Sequence, residues 1–225
     1  MKAMILAAGR GERMRPLTDH TPKPLLQAAG KPLIVYTIEA LVQAGITDIV
    51  INLAHLGAQI QNYLGDGSQY QANIDYSHEG ETGLETAGGI KKALPILGDS
   101  AFLVVNGDIN SDFNFHGLIN KEIDLAHLIL VNNPAHHPTG DFALQNQATL
   151  TPEGTPKYTY SGIGIYHPDL FTSIKPGKSA LGPLLKNTMQ TGRISGELYP
   201  GFWMDIGTPE RLKELNNIML RHHEQ

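Results

Sequence analysis

With 225 residues, 41% of them hydrophobic, the chain is long enough to bury one substantial core. The absence of cysteine excludes disulfides, thiolate zinc sites and cysteine nucleophiles, and a net charge of −5 argues against a broad grip on a nucleic-acid backbone. No apolar run approaches the roughly 18 residues of a membrane span, so no membrane partner is expected and the cytoplasm is the expected location.

Residues 2–8 read as a short buried strand that leads into a glycine-rich loop. Residues 32–44 read as a helix with Pro32 in its first turn, Leu33, Tyr36, Ala40, Leu41 and Ala44 on one side, and Gly45 as its stop. Strand patterns follow at 48–53, 73–77 and 101–105, alternating with helical patterns at 56–64 and 86–94. This alternation predicts parallel βαβ units. Beyond Asp108 the pattern is less regular, with strands expected at 126–131, 142–144 and 158–166 and helices at 181–189 and from 209 to about 221. No repeat or flexible linker interrupts it, so residues 1–225 are expected to form a single domain, and His222 and His223 are expected at its surface.

Charge is unevenly spread. Residues 1–31 carry Lys2, Arg10, Arg13, Arg15, Lys23 and Lys31 against Glu12 and Asp19, a balance of +4, which leaves −9 on the rest. A local basic segment on an acidic chain suits a small polyanion. The same segment holds LAAGRGERMRPLT (residues 6–18) and TPKPL (21–25). Gly9 and Gly11 lack Cβ, so the backbone can turn sharply and present N–H groups to phosphate oxygens, while Arg13 and Lys23 supply charge where a pyrophosphate would leave. A dinucleotide fingerprint would need glycine where Met14 stands, and the complete P-loop pattern occurs nowhere in the chain. Asn106-Gly107-Asp108 follows the apolar run 102–105, which puts Asp108 at the carboxyl end of a strand, where open α/β sheets bind ligands and a metal ligand is well placed.

LAAGRGERMRPLT followed by TPKPL resembles the signature of the sugar-1-phosphate nucleotidyltransferases. The resemblance extends through LETAGG (84–89), NGD (106–108), NNPAHHPTGDF (132–142), YSGIGIY (160–166) and FWMDIGTPE (202–210). It implies a Rossmann-like α/β fold, a mixed but mainly parallel sheet flanked by helices as in the GT-A-like nucleotide-diphospho-sugar transferases. Residues 1–110 would form the nucleotide-binding half and 111–225 the sugar-binding half. It further implies Mg2+ held by Asp108 and Asp205, nucleotide contacts from Ala8, Gly9, Gly11, Gly88 and Asn106, and catalytic roles for Arg13 and Lys23.

On the sugar side, the resemblance points to Gly140, Asp141, Ser161, Gly162 and Trp203. The adjacent His136 and His137 could touch sugar hydroxyls or an acyl group, but their side chains diverge and lack further ligands, so zinc is not expected. Many family members hold the sugar phosphate with the lysine of a Glu-Lys-Pro tripeptide, which this chain lacks. Lys157 and Arg193 are the candidate substitutes. HEGETGLETAGGI, VNGDINSDF and NNPAHHPTGDF look most like the N-acetylmuramate α-1-phosphate uridylyltransferases of peptidoglycan recycling, so UTP and a sugar 1-phosphate are the expected substrates. Mannose-1-phosphate guanylyltransferases share the LxTAG pattern and are the nearest alternative, and a nucleotide-binding subunit without chemistry is the alternative from another class. A monomer or small homo-oligomer is expected.

Overall fold

The computed structural model describes residues 1–146 and 148–223; the side chains of His222 and His223 lie outside the described set. The first strand, β1 (Ala3–Leu6), is followed by a loop of short 3-10 turns and a small hairpin of β2 (Gln27–Ala28) and β3 (Lys31–Pro32). Next come α1 (Leu33–Gln43), β4 (Asp48–Leu53), α2 (Gly57–Leu64), β5 (Asn73–His78), α3 (Glu85–Leu97) and β6 (Phe102–Asn106). The second half adds β7 (Ile109–Ser111), β8 (Ala126–Val131), β9 (Phe142–Gln145), β10 (Thr149–Thr151) and β11 (Lys157–Tyr166). It ends with α4 (Leu181–Met189), β12 (Ile194–Tyr199), β13 (Trp203–Asp205) and α5 (Pro209–His223).

Strands from both halves share one nine-stranded sheet in the order β5-β4-β1-β6-β11-β8-β12-β10-β9. β5, β4, β1 and β6 run parallel, as the βαβ alternation predicts, whereas β11 enters antiparallel beside β6 and makes the sheet mixed. Alternating side chains sort the core between the two faces. Ala3, Ile5, Ile49, Ile51, Leu103 and Val105 pack towards α1 and α2, while Met4, Val50, Phe102 and Val104 pack towards α3 and α4. Among the described residues no helix is long and apolar enough to cross a membrane.

A third, smaller core lies outside the sheet. Met14, Leu26, Ala28, Leu33, Ile206 and Leu215 bury one another, and the Ala29 N–H donates to Asn216 Oδ1 at 2.9 Å, so α5 clamps the N-terminal loop. This core explains a difference from the pattern expected of α1. Pro32 is the residue just before the helix, and the sheet-facing stripe is Ile34, Ile38 and Leu41, because Leu33 turns to the small core and Tyr36 and Ala40 are only partly buried. Likewise α3 runs past Pro95 to Leu97. A proline in the last turn forfeits one backbone bond, and the buried Leu97 side chain holds the end in place.

Candidate active site

The carboxyl ends of β1 and β6 open into a cleft of about 460 Å³. Ala8, Gly9, Gly11 and Arg13 line it from the first loop, and Lys23, Asn106 and Asp108 line the opposite part of its floor. Gly11 adopts φ +68°, the left-handed region, and its carbonyl accepts the Met14 N–H at 2.8 Å and the Thr18 hydroxyl at 2.9 Å. Burial of Met14 in the small core anchors this turn, and Arg13, the residue just before it, is left exposed. Arg10 pairs with Glu12 at 3.0 Å and Arg15 with Asp19 at 2.6 Å. Of the three arginines in the loop, Arg13 is the one with no carboxylate within 4 Å among the described residues.

Lys23 is 8% exposed, and its Nζ donates to Asp108 Oδ2 at 2.7 Å. Asp205 comes beside Asp108 because β13 pairs antiparallel with β7: Asp205 stands opposite Ile109, and the Ile206 N–H donates to the Asp108 carbonyl at 2.7 Å. Asp205 in turn accepts from Arg211 Nη1 at 2.5 Å. His136 completes this cluster, with Nε2 2.9 Å from Asp205 Oδ1 and 2.7 Å from Arg211 Nη1. Nε2 donates to the carboxylate in one tautomer and accepts from the guanidinium in the other. Each predicted acid is thus paired with a cation, Asp108 with Lys23 from a distant segment and Asp205 with Arg211 six residues on.

Arg211 is a residue that motif reading passed over. A Cβ on Gly207, which lines the cleft, would overlap the Arg211 guanidinium and stand 3.1 Å from Arg13 Nη2, so the two cations converge over one glycine. Arg193 does the opposite of what is expected of it. It pairs with Asp124 at 2.6 Å at the start of β12, beside Ala126 and Tyr166, the end of the sheet remote from Asn106. Lys157 opens β11, and its backbone carbonyl accepts from Asn133 at 2.9 Å close to Gly140.

Two further expectations are corrected by packing. Gly88 is buried and does not line the cleft: its N–H and that of Ala87 donate to the Ser179 carbonyl, and a Cβ there would overlap the Gly177 carbonyl. The close approach of that loop is what requires glycine, and the wall on this side is built from Thr82, Gly83, Glu85 and Thr86. Ser161 is 1% exposed and donates its hydroxyl to the Ile129 carbonyl at 2.7 Å, so its side chain faces the core and not a pocket wall. Its own carbonyl accepts the Trp203 indole N–H at 2.8 Å.

The remaining sugar-side residues meet around the same end of β11. Gly162 holds φ +81° at an irregularity in the β11–β8 register, with the Asn106 side chain packed against its Cα. Gly140 holds φ +64°, and the Asp141 carboxylate accepts the Tyr160 N–H at 2.8 Å and lies 3.1 Å from His137 Nε2. Gly140, Asp141, Trp203 and Asp205 are not among the residues that line the cleft itself.

A nucleotide-sized cleft, a glycine turn beneath it, one unpaired arginine and a buried lysine on an acid are the parts of a phosphoryl-transfer site. The pattern that defines the nucleotidyl transferases matches residues 2–222. The chain belongs to the nucleotidyl transferase family. One relative in this family, the N-acetylmuramate alpha-1-phosphate uridylyltransferase of Neisseria meningitidis serogroup B, is 55% identical over 222 residues, covering 95% of this chain and 96% of that protein. A mannose-1-phosphate guanyltransferase of Hypocrea jecorina is 34% identical, covering 93% of this chain but 62% of that protein. Among solved structures, HddC from Yersinia pseudotuberculosis complexed with GMP-PN superposes with a TM-score of 0.81 at 22% identity, covering 97% of this chain and 99% of that one. This last likeness bears on the fold. As a nucleotidyl transferase, the chain carries the mixed sheet flanked by helices that the sequence predicts.

Proposed function

We propose that this nucleotidyl transferase is a cytoplasmic uridylyltransferase of peptidoglycan recycling that moves UMP from UTP to N-acetylmuramic acid α-1-phosphate and releases pyrophosphate. The observation that carries the transfer chemistry is the Lys23–Asp108 pair on the floor of a cleft rimmed by Gly9, Gly11 and Arg13. The choice of substrates rests on the relative that is 55% identical along almost the whole of both chains.

An oxygen of the sugar phosphate attacks the α-phosphorus in line, the new O–P bond forms as the bond to the β-phosphate oxygen breaks, and pyrophosphate carries away the electron pair. A phosphomonoester has its second pKa near 6, so the nucleophile is largely anionic at neutral pH and needs no general base. The chain's work is positioning and charge neutralisation. Amides of the glycine turn and the Arg13 guanidinium receive the triphosphate, and Lys23 stabilises charge on the transferring and leaving oxygens. Arg211, which shares Gly207 with Arg13, takes the place of the missing Glu-Lys-Pro lysine and meets the sugar phosphate.

Among the described residues no group of three or more His, Asp or Glu forms a metal cage. The Asp108 carboxylate in the cleft, with Asp205 on the strand whose backbone pairs beside it, would hold Mg2+, which is commonly bound through one or two carboxylates with phosphate oxygens and water completing the shell. Bound there, the ion would supply positive charge that neutralises phosphate oxygens. Incubation with magnesium, each NTP in turn and a panel of sugar 1-phosphates, with pyrophosphate as the readout, tests the proposal. UTP with N-acetylmuramic acid α-1-phosphate is the expected pairing; a preference for GTP with mannose 1-phosphate would replace it, and no release from any pairing would leave a nucleotide-binding subunit.

A further inference from the structure

Asn52 and Glu79 are buried polar side chains, 3% and 6% exposed, that the transfer chemistry above leaves without a task, although both reach the cleft. Asn52 Oδ1 accepts the Ala7 N–H at 2.7 Å, and Asn52 Nδ2 donates to Glu79 Oε1 at 2.6 Å. The other oxygen, Glu79 Oε2, accepts the Leu84 N–H at 2.6 Å. A continuous line of hydrogen bonds therefore runs from the first amide of the glycine loop to the residue that precedes α3. These are the two walls between which a nucleotide must lie. Gly83 lies between them, since a Cβ added there would come within 3.8 Å of both the Ala8 carbonyl and Glu79 Oε2.

The polarity of this line is determined by its ends. The Ala7 N–H can only donate, so Asn52 must turn its oxygen to it and its NH2 group towards residue 79. The Leu84 N–H can also only donate. Residue 79 must accept at both atoms, and a carboxylate is the side-chain group of this size that does so. Glutamine would leave one donor facing another donor in a buried position, whichever way either amide is flipped.

We infer that Glu79 is a positioning residue: through Asn52 and Leu84 it sets the phosphate loop against the base-side loop, and its charge is required by hydrogen-bond polarity rather than by contact with the nucleotide. The same geometry explains the second glycine of Thr86-Ala87-Gly88-Gly89, because a Cβ on Gly89 would overlap Glu79 Oε1. The inference rests on the proposal that the cleft binds a nucleoside triphosphate.

The polarity can be reversed without removing it. In the double variant N52D/E79Q, one oxygen of the carboxylate introduced at position 52 accepts from the Ala7 N–H. Its other oxygen accepts from the NH2 of the amide introduced at position 79, and the oxygen of that amide accepts from the Leu84 N–H. The wild type, E79Q, N52D and the double variant are titrated calorimetrically with UTP and with GTP in the presence of magnesium, with melting curves and the KM for the sugar 1-phosphate recorded alongside. Each single variant should bind the wild type's preferred nucleotide at least about tenfold more weakly, and the double variant within about threefold of wild type. The sugar-phosphate KM should stay within about twofold throughout, on the same affinity scale.

The inference is overturned if E79Q binds nucleotide like the wild type, or if the double variant melts like the wild type yet binds as poorly as E79Q, which would make the Glu79 carboxylate a direct contact. Equal loss for nucleotide and sugar phosphate would also overturn it, as general loosening of the fold. A wild type that prefers GTP refutes the uridylyl proposal alone, because the four-protein pattern is then judged on GTP.

Discussion

The ammonium of Lys23 and the carboxylate of Asp108 meet at 2.7 Å across 85 residues of sequence, one from the turn after Pro22 and the other from the end of β6. Lys23 is held in a tight turn by the Leu25 N–H on the Pro22 carbonyl at 2.8 Å, so its position does not depend on the ion pair alone. Lys23→Met retains the apolar stem and removes the charge. Pyrophosphate release should fall by at least about a thousandfold, as expected for loss of a charged group that stabilises leaving oxygens, while the melting temperature shifts by only a few degrees. Near wild-type turnover in the folded variant would remove Lys23 from the mechanism.

Gly162 offers a probe of the site that adds no charge. At φ +81° any L side chain is strained, and a Cβ would stand 2.5 Å from Asn106 Nδ2 and 2.8 Å from Asn106 Cβ. Gly162→Ala should cost about 1–3 kcal/mol of stability from backbone strain and overpacking, and should also displace Asn106 on the cleft floor. A lower urea midpoint together with a raised KM for UTP is the expected pair of results. A stability loss with unchanged kinetics would show that Asn106 is not a nucleotide contact.

Elements in both halves were legible where strands are uniformly apolar and helices amphipathic, and the predicted 48–53, 126–131 and 181–189 coincide with β4, β8 and α4. Strands β12 and β13 escaped notice for a physical reason. Ile194–Tyr199 mixes serine, glycine and glutamate into a partly exposed strand, and Trp203–Asp205 is short and pairs outside the main sheet. At the site, glycine spacing and acids at strand ends located the cleft floor. Gly88 and Ser161, carried over from the resemblance, pack inward instead, against the Ser179 loop and the Ile129 carbonyl, and sequence alone does not tell a glycine required by packing from one exposed to a ligand. Arg211 was invisible for a related reason: only the crossing of α5 behind Gly207 brings a helical arginine to Arg13. An asparagine within the apolar strand 48–53 and an acid just after 73–78 were the available signs of the Asn52–Glu79 pair.

Arg211→Met tests the assignment of the sugar-phosphate cation. The guanidinium is largely buried, with 13% of its side chain exposed, and methionine preserves much of the packing while removing the charge. Asp205 keeps His136 as a partner at 2.9 Å, which limits the structural damage. The KM for the sugar 1-phosphate should rise at least about tenfold, while that for UTP changes less than about threefold. Arg211→Lys should recover part of the loss, because it returns a charge without the planar fork. If both KM values rise together, Arg211 serves Asp205 or the triphosphate and not the acceptor.

His127 on β8 provides a pH test remote from the cleft. Its Nδ1 lies 2.8 Å from Ser195 Oγ, while its Nε2 faces Glu197 at 3.3 Å without forming a hydrogen bond, and Lys121 shares that carboxylate at 2.6 Å. Burial first, and then repulsion from Lys121, push the imidazole pKa down to about 4, against the opposing pull of Glu197. In the unfolded chain the same group takes up a proton near pH 6.5. Between about pH 6.5 and 4 the unfolded state therefore binds more protons, and the folded state loses stability as pH falls through that window. At pH 5 this single group should account for about 2 kcal/mol of the loss relative to pH 7. His127→Gln removes the titration while leaving a polar side chain beside Ser195. The difference between its urea midpoints at pH 7 and pH 5 should be smaller than that of the wild type, and an equal or larger difference would show that His127 is protonated in the fold.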